Sequence, residues 1–294
     1  MSFHLYADDT QLYLSFNLRC PLSTSNMLQR LNSCTSQIGA WMQFHFLKLN
    51  CEKTELVVIT TPTLSNHSVL SVDICGSNIF PNSGVRDLGV DLDSTLKMEP
   101  HIRAVCKRAF HQIHLIHCIR RFINEDAART LVQANVVSLL DYCNGVLMGL
   151  PDALLKLLQR VQNCAAHVIK CAPKSSSITP ILKDLHWLPI NYRVQYKVLI
   201  LTFKALNGLA PPYLTDLLEP YQPIRALRSM HKNLLSSRSF NYKAYGSCSF
   251  EVLAPRLWNA LSPMMRKITS IDIFKRTLKT HLCYCAFENV SCQS

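Results

Sequence analysis

Phe3-His4-Leu5-Tyr6-Ala7-Asp8-Asp9-Thr10-Gln11-Leu12-Tyr13-Leu14-Ser15-Phe16 is the stretch on which the reading of this chain turns. After the two aspartates, Thr10, Leu12, Leu14 and Phe16 fall on one side of an extended chain, and Gln11, Tyr13 and Ser15 fall on the other. That period of two predicts a half-buried hairpin arm. Phe3–Tyr6 supplies the opposing arm and Ala-Asp-Asp the turn. Adjacent carboxylates at a hairpin tip repel each other, and no basic residue lies nearby in sequence to offset them. A divalent cation removes the objection, because hard oxygen ligands on a tight turn suit Mg²⁺. The plainer alternative is a polar turn, in which aspartate is common for its own hydrogen-bonding reasons.

Outward from the hairpin, the first hundred residues alternate strand and helix signals. Ser23 or Ser25 can cap a helix running to about Trp41, with Leu28, Leu31, Cys34, Ile38 and Trp41 on one side. Strands are expected at Glu55–Thr60, around Val69–Ile74 and around Val85–Leu92. From Pro100 onward the period becomes helical. In His101–Ile123 an apolar stripe of Ile102, Val105, Ala109, Ile113, Ile116 and Ile119 lies opposite Arg103, Lys107, His111, His114 and Arg121. Further helices are expected at Glu125–Asp141, Pro151–Cys171, Ile190–Leu206 and Ser270–His281, with a linker over Pro173–Thr179. The fold class is therefore α+β, with β structure confined to residues 1–100, a helical region at 101–172 and a basic, mostly helical region at 173–294.

Charge divides along the same line. Residues 1–100 carry 6 basic and 9 acidic side chains, a balance of −3, and residues 101–294 carry 25 and 10, a balance of +15. An acidic front before a basic body suits metal chemistry beside a polyanion-binding surface. Solubility alone requires no such asymmetry. Hydrophobic residues make up 48% of the chain and charged residues 17%, which excludes a disordered polymer. No apolar run reaches the roughly 20 residues of a membrane helix, and Lys197, Lys204 and Asn207 interrupt the best one. The N-terminus lacks the features of a signal peptide, so an intracellular protein with no membrane partner is expected. The 13 cysteines are odd in number and scattered without a Cys-x-x-Cys pair. Those in apolar stretches, such as Cys106, Cys143 and Cys164, read as small buried hydrophobes. Among the histidines of the 101–123 helix, only His111 and His114 share a face cleanly, and that face is otherwise cationic.

The opening hairpin resembles the polymerase motif C of LINE-type (non-LTR) retrotransposon reverse transcriptases. Other stretches resemble the same family in order along the chain. Ala40-Trp-Met, Phe46-Leu-Lys-Leu-Asn50 and Lys53-Thr-Glu55 are similar to its motif D. Val85-Arg-Asp-Leu-Gly-Val90, with Asp93 to His101, is similar to motif E, the primer grip. Leu185-His-Trp-Leu-Pro189, Leu201–Ala205, Gly208–Leu214, Ala254-Pro-Arg-Leu-Trp-Asn259 and Phe274–Leu282 resemble the region that follows the thumb.

The resemblance implies a partial polymerase palm followed by a helical thumb. It implies that Asp8 and Asp9 hold Mg²⁺, with Asp8 the principal ligand, and that Tyr6 lies under the primer end or incoming nucleotide. Lys53 would help protonate the pyrophosphate, Leu88 and Gly89 would support the primer, and Arg103, Lys107 and Arg121 would track phosphates. The implied partners are an RNA template, a DNA primer and deoxynucleotides. The family's motifs A and B, including a further metal-binding aspartate, precede motif C and are not found here. The expectation is accordingly a truncated RNA-directed DNA polymerase that does not polymerise alone. His45 and Cys248 stand where the family usually has asparagine and arginine. A non-enzymatic protein that binds nucleic acid without sequence preference is the alternative.

Overall fold

The computed structural model describes residues 1–17, 19–61, 71–74, 76–222, 233–237 and 248–288. The chain is a mixed α and β structure, mostly helical, and it divides into two compact units, Met1–Met98 and Glu99–Ser294. All eight described strands, β1 to β8, lie in the first unit and pair two by two.

In the first unit β1 (Ser2–Tyr6) and β2 (Asp9–Tyr13) form an antiparallel hairpin with Tyr6 opposite Asp9 and Phe3 opposite Leu12. The expected half-buried arm is found only in part. Leu12, Leu14 and Phe16 are partly covered, Tyr13 and Ser15 are exposed, and β2 ends at Tyr13. Every residue of β1 is exposed. Alternation reports which residues share a face, but it does not report whether another layer covers that face.

Helix α1 (Pro21–Phe44) starts on a proline in its first turn rather than on a serine cap. Met27 and Thr35 are its buried residues, while Trp41 stays exposed and lies against His45 with ring centroids 4.2 Å apart. The Thr35 hydroxyl reaches the carbonyl of Asp73, tying α1 to β4 (Val72–Ile74), which pairs with β5 (Ser77–Ile79). Val69 and Leu70, where the next strand was expected to begin, lie outside the described residues. The strand expected over 55–60 is reduced to β3 (Leu56–Val57), which pairs in parallel with β6 (Pro81–Asn82).

The segment around Val85–Leu92 is a hairpin of β7 (Gly84–Asp87) and β8 (Val90–Asp93) with Leu88 and Gly89 as its two loop residues. Both loop residues have positive φ, 43° and 83°, as a type I′ turn requires. Directly after β8 the Asp93 carboxylate closes a compact loop. It accepts from the amides of Thr95 and Lys97, each at 3.1 Å, from the Met98 amide at 2.8 Å, and from the Thr95 hydroxyl.

The second unit opens with α2 (Glu99–Ile119), whose apolar line Ile102, Val105, Ala109, Ile113 and Ile116 is buried. Ile119, the last member of the expected stripe, is exposed because the chain tightens into a 3₁₀ turn at Arg120–Phe122. Asn124 caps α3 (Glu125–Val132) by accepting from the Ala127 amide at 2.8 Å. The expected helix over 125–141 is interrupted by a π-turn, Gln133–Val137, before it resumes as α4 (Ser138–Asp141). Helix α5 (Asp152–Lys170) follows a proline and ends at Cys171 in the left-handed region, where the Ala172 amide returns to the His167 carbonyl.

The expected linker gives way at Ile178 to α6 (Ile178–Asp184). Helix α7 (Ile190–Leu206) has the bounds its periodicity predicts. It is followed by α8 (Pro212–Thr215), α9 (Phe250–Ala260), α10 (Pro263–Arg266) and α11 (Ile271–Phe287). The core of this part is aromatic. Phe203 stacks on Phe274 with centroids 4.4 Å apart, Trp258 lies 5.8 Å from Phe274, and all three are at most 2% exposed. Of the cysteines expected to be buried, Cys106 is buried and Cys164 is half-buried. Cys143 is exposed, because it occupies a left-handed turn rather than a helix face.

Candidate functional site

The acidic tip is built by the shortest route a β-ribbon allows. Two residues, Ala7 and Asp8, connect the paired Tyr6 and Asp9. Ala7 takes φ 53°, a left-handed conformation that costs a non-glycine residue on the order of 1–2 kcal/mol. Asp8 and Asp9 are both exposed, and neither carboxylate forms a hydrogen bond or ion pair with another described residue. Their oxygens have the chemistry of a hard-cation site. Only two residues contribute, however, and among the described residues no group of three or more His, Cys, Asp or Glu could hold a metal ion.

Strand register sorts the hairpin into two faces. Ser2, His4, Tyr6, Asp9, Gln11 and Tyr13 share one face, and Phe3, Leu5, Thr10 and Leu12 share the other. On the first face the Tyr13 hydroxyl and His4 Nε2 are 3.0 Å apart, with the two rings stacked. From the same face Gln11 Nε2 donates to Asp87 Oδ1 at 2.5 Å. Asp87 immediately precedes Leu88, so one hydrogen bond joins the acidic hairpin to the Leu88-Gly89 hairpin across 76 residues of sequence.

That second turn is fixed from below by Asp93. Burial alone would raise its carboxyl pKa, but the Thr95 hydroxyl and the amides of Met98, Lys97 and Thr95 donate to the charged form and hold it below the usual carboxylate range. Leu88 is 40% exposed, despite the cost of holding a branched side chain at positive φ.

Lys53 ends a short 3₁₀ turn, Cys51–Lys53, in which its amide donates to Asn50 Oδ1 at 3.2 Å, and its side chain is exposed. Lys48, rather than Lys53, lines a cleft of about 840 Å³ together with Gln43, Asn50, Glu52 and Ser77.

Compared with protein-family models, curated proteins and solved structures, the chain matches none.

Arg103, Lys107 and Arg121 belong to the second unit and are all exposed. At 100° per residue, Arg103, Lys107, His111, His114 and Arg121 fall within an arc of about 80° along about 27 Å of α2 and its following turn. The stripe is not wholly uncommitted. Arg103 pairs with Glu99 at 2.6 Å, and the Arg121 guanidinium lies 4.6 Å from the Phe122 ring centre. Both contacts are exposed and cost little to exchange for a phosphate.

Arg120, one residue earlier, turns inward. Two of its nitrogens cap the end of α5 by donating to the carbonyls of Val168 and Ile169 at 2.9 and 2.7 Å, and the third donates to the Ile123 carbonyl at 2.8 Å. Nothing in an Arg-Arg pair says which arginine caps and which faces solvent. No helix among the described residues is long and apolar enough to cross a membrane.

Several segments singled out in the sequence have structural duties. Trp258 Nε1 donates to the Asn233 carbonyl at 2.9 Å. The Asn259 amide clamps Leu235 from both sides, accepting from its N–H at 2.9 Å and donating to its carbonyl at 2.8 Å. In Leu185–Pro189, the Leu188 carbonyl accepts from Gln162 Nε2 at 2.8 Å and from Arg193 Nε at 3.1 Å. Cys248 Sγ donates to the Gly149 carbonyl at 3.3 Å.

Proposed function

We propose that residues 1–98 are the metal-binding and primer-gripping part of an RNA-directed DNA polymerase palm, of the LINE-type (non-LTR) reverse transcriptase kind, and that the helical body binds nucleic acid. The observation that carries this reading is the Gln11–Asp87 hydrogen bond. It ties the hairpin that carries the exposed Asp8-Asp9 tip to the hairpin that carries the Leu88-Gly89 turn, with Tyr6 and Asp9 on the face from which Gln11 reaches out. Those are the two hairpins that would have to cooperate if one held the catalytic ions and the other the primer strand.

In this reading Asp8 and Asp9 supply oxygen ligands to Mg²⁺, which would activate a primer 3′-hydroxyl and stabilise the leaving pyrophosphate. Tyr6 supports the primer end, Leu88 packs against it, and Lys53 is the proton donor. Two carboxylates are only part of what a two-ion centre needs, so residues 1–294 by themselves are proposed not to extend a primer.

Primer extension on an RNA template with Mg²⁺ or Mn²⁺ tests both parts. This chain alone should incorporate no deoxynucleotide, and incorporation that disappears in Asp8→Ala would refute its proposed inactivity. The same Asp8→Ala substitution in a longer chain that supplies the further carboxylate should abolish extension. Full activity there would refute the role given to the tip.

A second reading, binding without catalysis, is favoured by the cationic stripe of α2 and the +15 balance of residues 101–294. It requires affinity for single- or double-stranded nucleic acid that falls steeply with salt as counterions are released. Salt-independent binding, or none at low salt, would remove it.

A further inference from the structure

Within the second unit a cavity of about 440 Å³ opens between the π-turn at Gln133, the turn at Asn144–Leu147, the Leu185–Leu188 segment, α7 and α11. One of its lining residues carries an unmet demand. Asn144 is 5% exposed, its Nδ2 donates to Asp141 Oδ1 at 3.3 Å, and its Oδ1 has no hydrogen-bond partner among the described residues. Reversing the amide would press that oxygen against a carboxylate, so the leftover group is an acceptor waiting for an N–H or O–H. Buried acceptors are rarely left in that state unless something else completes them.

The walls sort into spent and unspent groups. Arg193 is spent. Its Nη1 holds both Asp141 oxygens at 2.9 and 2.7 Å, its Nε holds the Leu188 carbonyl, and its guanidinium lies 5.7 Å from the Trp187 ring centre. Lys197 of α7 and Lys279 of α11 are unspent. Both line the cavity, both are exposed, and neither forms an ion pair with a described residue. Tyr196 adds a half-buried ring to the same wall.

The backbone is bent to make this arrangement. Cys143 and His186, at its edges, are both at left-handed φ, 50° and 53°. The π-turn interrupts the helix at Gln133, and such turns recur at binding sites.

A ligand that satisfies these groups combines an anion, for two ammonium groups, with an N–H donor, for Asn144, and a flat ring that can lie along Tyr196. A volume of about 440 Å³ is within the range of small-molecule and cofactor sites and is more than an inorganic anion needs. We infer that this cavity binds a nucleotide, with its phosphate on Lys197 and Lys279 and an amino or imino group of its base on Asn144 Oδ1. The nucleotide is either free or one unit of a single strand. Such a site is independent of the acidic hairpin and would survive the loss of any polymerase role.

Calorimetric titration of the full chain with adenosine 5′-monophosphate, ribose 5-phosphate and a ten-residue single-stranded oligoadenylate tests it. Adenosine monophosphate should bind at least tenfold more tightly than ribose 5-phosphate, and Asn144→Leu should bring that ratio close to one. The double substitution Lys197→Ala/Lys279→Ala, on the exposed rim, should weaken both phosphates tenfold or more, and it decides the matter if Asn144→Leu fails to fold. Oligoadenylate that displaces the mononucleotide identifies a strand as the source of the ligand, and failure to displace it identifies the free nucleotide. Equal binding of the two phosphates by the unaltered chain, indifference to the lysine pair, or no mononucleotide binding at millimolar concentration would overturn the assignment.

Discussion

Asp93→Ala removes the anchor of the Leu88-Gly89 hairpin, and its cost can be worked out from the geometry. The carboxylate accepts from three backbone amides and one hydroxyl. A hydrogen bond to a charged group contributes about 1.5–3 kcal/mol when removing it leaves a buried partner unmet. The four are not equivalent. Lys97 is exposed and its amide can turn to water, Thr95 is half-covered, and Met98 is 4% exposed, so the Met98 amide has nowhere else to go.

Counting the Met98 bond in full and the others in small part gives about 2–3 kcal/mol for local opening of the loop. Since 1.4 kcal/mol is tenfold, amide protection over 95–98 should fall by about 30- to 150-fold. Hydrogen exchange followed by mass spectrometry, with a peptide spanning 93–98, reads this directly.

The same substitution should remove an acid limb. Asp93 is depressed in the folded chain, so its contribution is fully present above the unfolded carboxylate value of about 4. It is lost as pH falls through the lower folded value. Protection factors of the unaltered chain should therefore drop below about pH 4, whereas those of Asp93→Ala should stay flat. A loss of protection under threefold at neutral pH, or an unchanged acid limb in the variant, would refute the account of this loop.

Two further substitutions probe neighbouring claims. Leu88→Asn places the residue favoured at the first position of a type I′ turn where a leucine now sits at φ 43°. It should stabilise the hairpin by about 1 kcal/mol, seen as slower exchange in β7 and β8. If Leu88 packs on a primer, the same change should weaken binding of a primer–template duplex, so a gain in both properties would argue against that contact. Asn259→Ala leaves the N–H and C=O of Leu235, itself only 3% exposed, unpaired. A loss of about 2–4 kcal/mol in urea unfolding, followed by Trp258 fluorescence, is expected. Asn259→Asp, which keeps the acceptor and loses the donor, should fall between the two.

The helices were the legible part of this chain. Helical period locates α2, α5 and α7 to within a few residues, because α2 and α5 each have one buried stripe, α7 is buried on most sides, and all three have a proline at or next to their start. The opening hairpin was legible from its turn, whereas Val85–Leu92 was expected as a strand and folds back on itself at Leu88-Gly89. What periodicity could not convey is commitment over distance. Arg120 and Arg121 are the same residue type side by side, yet one is consumed by carbonyls nearly 50 positions away. Trp258 and Asn259 look like a recognition motif in sequence and prove to be fasteners for residues 233–235. The parallel pairing of β3 with β6 was likewise hidden, since two-residue strands carry no alternation.

The candidate site divides the same way. Asp8 and Asp9 could be placed at an exposed tip from the turn chemistry, but no pattern in the sequence announces that Gln11 reaches Asp87. Nor does any pattern announce the unmet oxygen of Asn144.

The π-turn at Gln133–Val137 has a consequence for how this stretch of chain can change. A π-turn is one residue more than a regular helix accommodates, so deleting a single position between Gln133 and Val137 would heal the hydrogen-bond ladder and leave helical content almost intact. Downstream residues would keep nearly their present angular phase, because the wide turn has already absorbed the surplus position. Asp141 would stay opposite Arg193, and Asn144 would stay with it. Adding or removing a residue in the regular part of α3 would instead turn everything after it by about 100°. The wide turn works as a slack link, the one place in this helix where residue count can change without moving the groups that follow.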